Sequence, residues 1–125
     1  MADNLHDYVL DAALTALDEA TDIVICDTEP TTYAEANATY ALGRKVFGAG
    51  GCFGAIAAGA VNGRKIPSVA ITDGAINADG TALKWAAIDT GNTRLLAVGS
   101  LSSSQGVTNG NTFSLPSFYI TIPGE

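Results

Sequence analysis

The chain predicts a mainly β protein, an antiparallel β-sandwich with an N-terminal α-helix packed against it. Three observations predict this. Residues 63–122 are short apolar runs separated by the turn signals Asp73-Gly74, Asp79-Gly80, Thr90-Gly91-Asn92 and Asn109-Gly110. Residues 5–20 instead place apolar side chains at helical spacing. Fourteen glycines in 125 residues suit a protein with many turns. That length predicts a single domain, with the helix at 1–20, a short strand and long loop at 21–62, and the sandwich core at 63–125.

The helix comes first. Leu5, Tyr8, Val9, Ala12, Ala13, Ala16, Leu17 and Ala20 form its apolar stripe. Asp3 or Asn4 can cap it, and Asp7 sits in the first turn, where the helix dipole favours negative charge. Ile23-Val24-Ile25-Cys26 reads as a short buried strand, stopped at Asp27-Thr28-Glu29-Pro30. Thr31 or Thr32 can cap a short helix with Glu35 as capping-box partner. Residues 41–54, with Gly48-Ala49-Gly50-Gly51, read as a flexible or extended loop.

Strands are predicted near 55–61, 64–72, 81–89, 93–101 and 111–122. In 81–89, Leu83, Trp85 and Ala87 fall on one face and Lys84 on the other. Thr90-Gly91-Asn92 closes a hairpin to the next strand. Phe113 and Leu115 alternate on odd positions, Phe118, Ile120 and Ile122 on even ones, so a bulge at Pro116-Ser117 absorbs the change of phase.

Charge and composition exclude several functions. Residues 1–30 carry eight acids and no Lys or Arg, while the remaining 95 carry five acids and six bases. With a net charge of −7 there is no basic footprint for nucleic acid. The acidic head reads as a solvated helix flank or as a face for a basic partner. No apolar run nears the roughly 20 residues that span a bilayer, and the first residues lack a basic secretory n-region, so a cytoplasmic origin and no membrane partner are expected. Cys26 and Cys52 are then expected as reduced, packed thiols.

Chemistry-bearing residues are sparse, and residues 63–122 hold no His, no Cys and three carboxylates. His6, the one histidine, lies in an acidic helical turn without a nucleophile or orienting partner in view. Asp73 and Asp79 precede glycines and, with Asp89, read as turn residues rather than a carboxylate pair or calcium site. The glycine cluster 48–54 lacks the Lys-Ser/Thr of a phosphate loop. Arg44-Lys45 and Arg64-Lys65 are basic pairs, solvated or facing an acidic neighbour. The chain is therefore expected not to be an enzyme and to need no metal or cofactor.

The strings Asn4-Leu-His-Asp-Tyr-Val-Leu-Asp-Ala-Ala-Leu14 and Ile25-Cys-Asp-Thr-Glu-Pro-Thr-Thr-Tyr-Ala-Glu-Ala36 resemble small structural proteins of tailed bacteriophages. The resemblance continues through Asp79-Gly-Thr-Ala-Leu-Lys-Trp-Ala-Ala-Ile88, Thr93-Arg-Leu-Leu-Ala-Val98 and Gly110-Asn-Thr-Phe-Ser-Leu115. It implies a virion component that binds the capsid exterior as a decoration or cement protein, assembled in the host cytoplasm. Its partners would be the major capsid protein and other copies of itself, by analogy a homotrimer. The same resemblance admits a tail or tail-fibre module, and it carries no expectation for the glycine cluster at 48–54. Outside that class, a carbohydrate-binding β-sandwich using Trp85 and Tyr119 as stacking platforms is the remaining alternative, although Trp85 alternates in phase with Leu83 as a core residue would. The expected contact surfaces are the helix, residues 30–54 and the turn tips. The candidate interface residues are Leu5, Tyr8, Tyr33, Tyr40, Arg44, Lys45, Phe47, Phe53, Arg64 and Lys65.

Overall fold

The computed structural model describes residues 7–48, 50–58 and 64–122. It is mainly β, with two antiparallel sheets and one short N-terminal helix. Helix α1 spans Asp7–Leu17, and β1 spans Asp22–Cys26. A short π-helix, Glu35–Thr39, precedes β2 at Ala41–Val46. The remaining strands are β3 (Ala57–Ala58), β4 (Arg64–Pro67), β5 (Ile71–Ile76), β6 (Gly80–Asp89), β7 (Arg94–Val107), β8 (Thr112–Leu115) and β9 (Tyr119–Ile122).

The larger sheet has the order β7-β6-β1-β2-β5-β8 and the smaller one β3-β4-β9. The order corrects the expectation that residues 63–125 by themselves make up the sandwich core. β1 and β2 lie between the β6-β7 and β5-β8 pairs, so the first 54 residues supply the middle of the larger sheet. All five residues of β1 are buried, as expected for a strand covered on both faces. One core combines Leu14 and Leu17 of α1 with Ile23, Ile25, Trp85, Ala87, Phe113 and Ile66, so helix and both sheets share it. A second cluster on the opposite face of the larger sheet joins Val24, Cys26, Ala36, Ala86 and Ile88.

Four local expectations are corrected. Of the predicted helix stripe, Leu17 and Ala20 are buried, joined by Leu14, which the stripe left out, whereas Val9 is 46% exposed and Ala12, Ala13 and Ala16 face solvent. Burying leucine removes far more apolar area from water than burying alanine, so the leucines decide the rotation of the helix. Residues 41–46 are a strand rather than a loop. Gly43 permits it, because a Cβ there would collide with the carbonyl of Ala75 across the β2–β5 pairing. Leu83 is 43% exposed while Ala82 and Trp85 share the core. The register of β6 against β7 shifts between Ala82 and Lys84, and that bulge inverts the phase. Residues 111–122 are two strands, not one with a bulge: after Pro116 the chain leaves the larger sheet and enters the smaller one.

Asp73-Gly74 is likewise no turn. Both lie in β5, where Gly74 packs beneath the Phe113 ring and a Cβ would have no room. Strand 64–72 divides into β4 and β5, and of 55–61 the described part is strand at Ala57–Ala58. The β6–β7 hairpin forms where expected, with Asp89 accepting the backbone N–H groups of Gly91 and Asn92 at 3.1 and 3.3 Å. Asn109-Gly110 also turns as expected, with Gly110 at φ 92°.

Candidate interaction surface and the seam of the larger sheet

The candidate surface is built on charges that the sequence separates and the fold brings together. Arg64 meets Asp11 at 2.7 Å, Arg94 meets Glu19 at 3.3 Å, Arg44 meets Asp22 at 3.0 Å, and Lys84 lies 3.7 Å from Glu29. Four of the six cations thus hold acids of the first 30 residues against the rest of the chain. Lys45 pairs with Asp73 at 3.0 Å, and Lys65 sits 4.3 Å over the Tyr119 ring. The two basic pairs of the sequence are therefore not simply solvated. They are engaged within the chain.

These contacts differ in weight. Asp22 is buried, and its partner Arg44 also donates to Asn37 Oδ1 at 2.9 Å and to the Asn37 carbonyl. That arrangement ties the segment carrying the π-helix to the outer face of the sheet, over Val24 and Cys26. Glu19–Arg94 is exposed on both sides and worth about 0–1 kcal/mol.

The capping prediction at 31–35 holds with a one-residue displacement. Thr32 Oγ1 accepts the Glu35 N–H at 3.2 Å, while the Glu35 carboxylate accepts the Thr31 N–H at 2.8 Å and the Thr31 hydroxyl at 2.9 Å. These bonds hold the Glu35 carboxyl below its usual range. The side-chain amide of Asn92, then the backbone N–H groups of the turn, lower Asp89 in the same way.

The other candidate residues are dispersed. Leu5 lies outside the described residues, as does His6, and Tyr8 is placed by its backbone alone. Tyr33 and Tyr40 are half-buried against the second cluster. Phe47 packs half-buried on the main core, and Phe53 is 5% exposed within it, so Phe53 offers no surface. The glycine cluster is ordered where described. Gly48 and Gly50 adopt φ of 84° and 79°, and their N–H groups donate to the carbonyls of Thr21 and Asp18. The cluster is thereby a clasp on the end of α1 rather than a free loop.

Both cysteines are free and buried. Burial raises the Cys26 thiol to about 11, aided by the charge of Asp27, and the Cys52 thiol to about 12, aided by Asp22 and Asp18. Neither is a nucleophile at neutral pH. Among the described residues no group of three or more His, Cys, Asp or Glu is placed to hold a metal ion, and no helix is long and apolar enough to cross a membrane.

Two features of this surface escape sequence reasoning. One is the long edge. β7 runs for 14 residues at the side of the larger sheet, uncharged after Arg94, and such edges pair with partners unless interrupted. It is interrupted twice: Leu96 has no opposite number in β6, and residues 101–104 bulge opposite Leu83. The other feature is a cavity of about 260 Å³, lined by Trp85, Ser100 and Leu101 on one side and by residues 115–118 on the other. β7 and β8 are opposite edges of the sheet, yet they meet at this cavity, so the sheet curls until its two sides approach along a seam. Trp85 and Phe118 span the seam with ring centroids 4.3 Å apart.

Tyr119 is 60% exposed but carries Lys65 over its ring, and Trp85 is 8% exposed and packed on Phe118. The pair does not form an open sugar-stacking platform. Comparison of the chain with protein-family models, with curated proteins and with solved structures returns no match.

Proposed function

We propose that the protein is a non-enzymatic virion component that decorates and stabilises the exterior of a tailed-bacteriophage capsid. The observation that carries this reading is the run of residue strings from Asn4 to Leu115 that resembles small structural proteins of such phages. The fold is compatible with the role. It is a β scaffold whose cations are engaged internally, and among the described residues its exposed large apolar side chains, Val9, Val46, Val69, Leu83 and Tyr119, come from different parts of the fold. Such positions suit modest contacts that gain strength through repetition.

In this reading the chain acts as a small homo-oligomer, by analogy a trimer, on the capsid surface. Each copy touches neighbouring major capsid subunits, and the linked contacts bind far more tightly than any one alone. Resistance of the shell to internal pressure rises because separating two subunits then also requires breaking decoration contacts. The exposed stripe Val9, Ala12, Ala13 and Ala16 of α1 and the half-buried Tyr33 and Tyr40 are the first surfaces to examine.

Purified protein mixed with undecorated capsids tests the proposal. Saturable binding with a rise in the temperature of capsid disruption is the expected outcome. Absence of saturable binding, with no change in heat resistance, would overturn it.

A further inference from the structure

We propose that the cavity in the seam of the larger sheet is a binding site for one neutral, ring-sized apolar molecule. The inference is independent of the capsid reading and rests on the cavity's size, lining and rigidity.

A volume of about 260 Å³ exceeds the roughly 150 Å³ that admits benzene in an engineered cavity of another protein. The walls are the indole of Trp85, the ring of Phe118, Leu101, Leu115 and Pro116, with Ser100 and Ser117 completing the lining. Among the described residues no ionisable side chain lines it. A charged ligand would find no opposite charge there to offset the water it gives up against the apolar rings, which favours neutral molecules.

The lining is held in place by contacts that do not depend on an occupant, among them the packing of the Trp85 and Phe118 rings on each other. The Trp85 indole lies against Gly99, where an added Cβ would stand 2.5 Å from three indole atoms, so the ring cannot sink further into the sheet. Phe118 is clasped from both sides by Ser68: its N–H donates to Ser68 Oγ at 2.8 Å, and its carbonyl accepts the Ser68 N–H at 2.7 Å. Leu115 is anchored in the core. The cavity is preformed, and binding there incurs little ordering cost.

Trp85 is the sole tryptophan of the chain, so its fluorescence and near-UV circular dichroism report on this one site. Titration with toluene is expected to give a saturable change in the Trp85 signal and a rise in Tm. Sodium benzoate, of similar size but charged, is expected to give neither. Ser117→Phe, at an exposed position of the lining, is expected to fill the mouth and abolish the toluene response while leaving the far-UV spectrum unchanged. Leu101→Phe serves the same purpose if that variant fails to fold. The proposal is overturned if toluene up to its solubility limit leaves Trp85 and Tm unchanged. An equal toluene response in a folded filled variant, or benzoate binding as well as toluene, contradicts it too.

Discussion

Residues 7–48 and residues 64–122 differ in the opposite sense from their composition. The first segment is acidic, rich in alanine and modest in strand signals, yet it holds the centre of the larger sheet. The second has the strong alternation and the turn punctuation, yet it supplies that sheet's flanks and edges and most of the smaller sheet. The difference teaches that local β signal and structural centrality are separate properties. β1 is only five residues long, but pairing with β6 on one side and β2 on the other gives it two ladders and a core on each face.

The comparison can be broken at several points. The largest effect is expected from dividing the chain. A fragment of residues 63–125 contains β6-β7 and β5-β8 without the strands that join them, and is expected to show no cooperative thermal transition. A folded fragment with a native near-UV signal from Trp85 would mean that the centre is dispensable.

Next comes Arg44→Ala. It strands the buried Asp22 carboxylate and releases Asn37, and removal of one partner of such a pair costs on the order of 3–5 kcal/mol. Chemical denaturation measures the loss, and Arg44→Met paired with Asp22→Leu is expected to recover much of it.

The thiols allow a smaller, pH-dependent test. Their raised values mean that the folded state favours the protonated form. The stability they contribute is fully present below the ordinary thiol value of 9.0 and is lost as pH rises through about 11 to 12. Denaturation midpoints are expected to fall on the alkaline side in the wild type and to fall less in Cys26→Ala/Cys52→Ala. Asp89 acts at the other end. Its lowered carboxyl contributes stability that is present above the ordinary value of 3.8 and is lost as pH falls through its folded value. Asp89→Asn is expected to flatten the acid limb.

Least affected is the exposed pair. Glu19→Gln is expected to change stability by about 0–1 kcal/mol, less still in high salt, as a double-mutant cycle with Arg94→Gln would measure.

Much of this architecture is legible in the chain, and the failures have physical causes. The β6–β7 hairpin is readable because Thr90-Gly91-Asn92 joins two strong apolar runs. β2 is not, because its polar residues find partners elsewhere in the chain: Arg44 and Lys45 look like a solvated pair until Asp22 and Asp73 are placed beside them. The helix is readable as a helix but not in its rotation, since an alanine-rich sequence presents two overlapping stripes and the two buried leucines choose between them. The exit at Pro116 has the same local signal as a bulge, and sheet membership separates the two. The seam cavity needs the opposite edges of one sheet to meet, which no local pattern records. Of the candidate surface, the identity of the charged residues is legible and their intramolecular pairing is not.

The functional account turns on one quantity, the number of copies of this chain per copy of the major capsid protein in intact, purified particles. Quantitative mass spectrometry of separated heads and tails measures it. A decoration role predicts a ratio near parity, confined to heads. A handful of copies per particle, recovered with the tails, would contradict it.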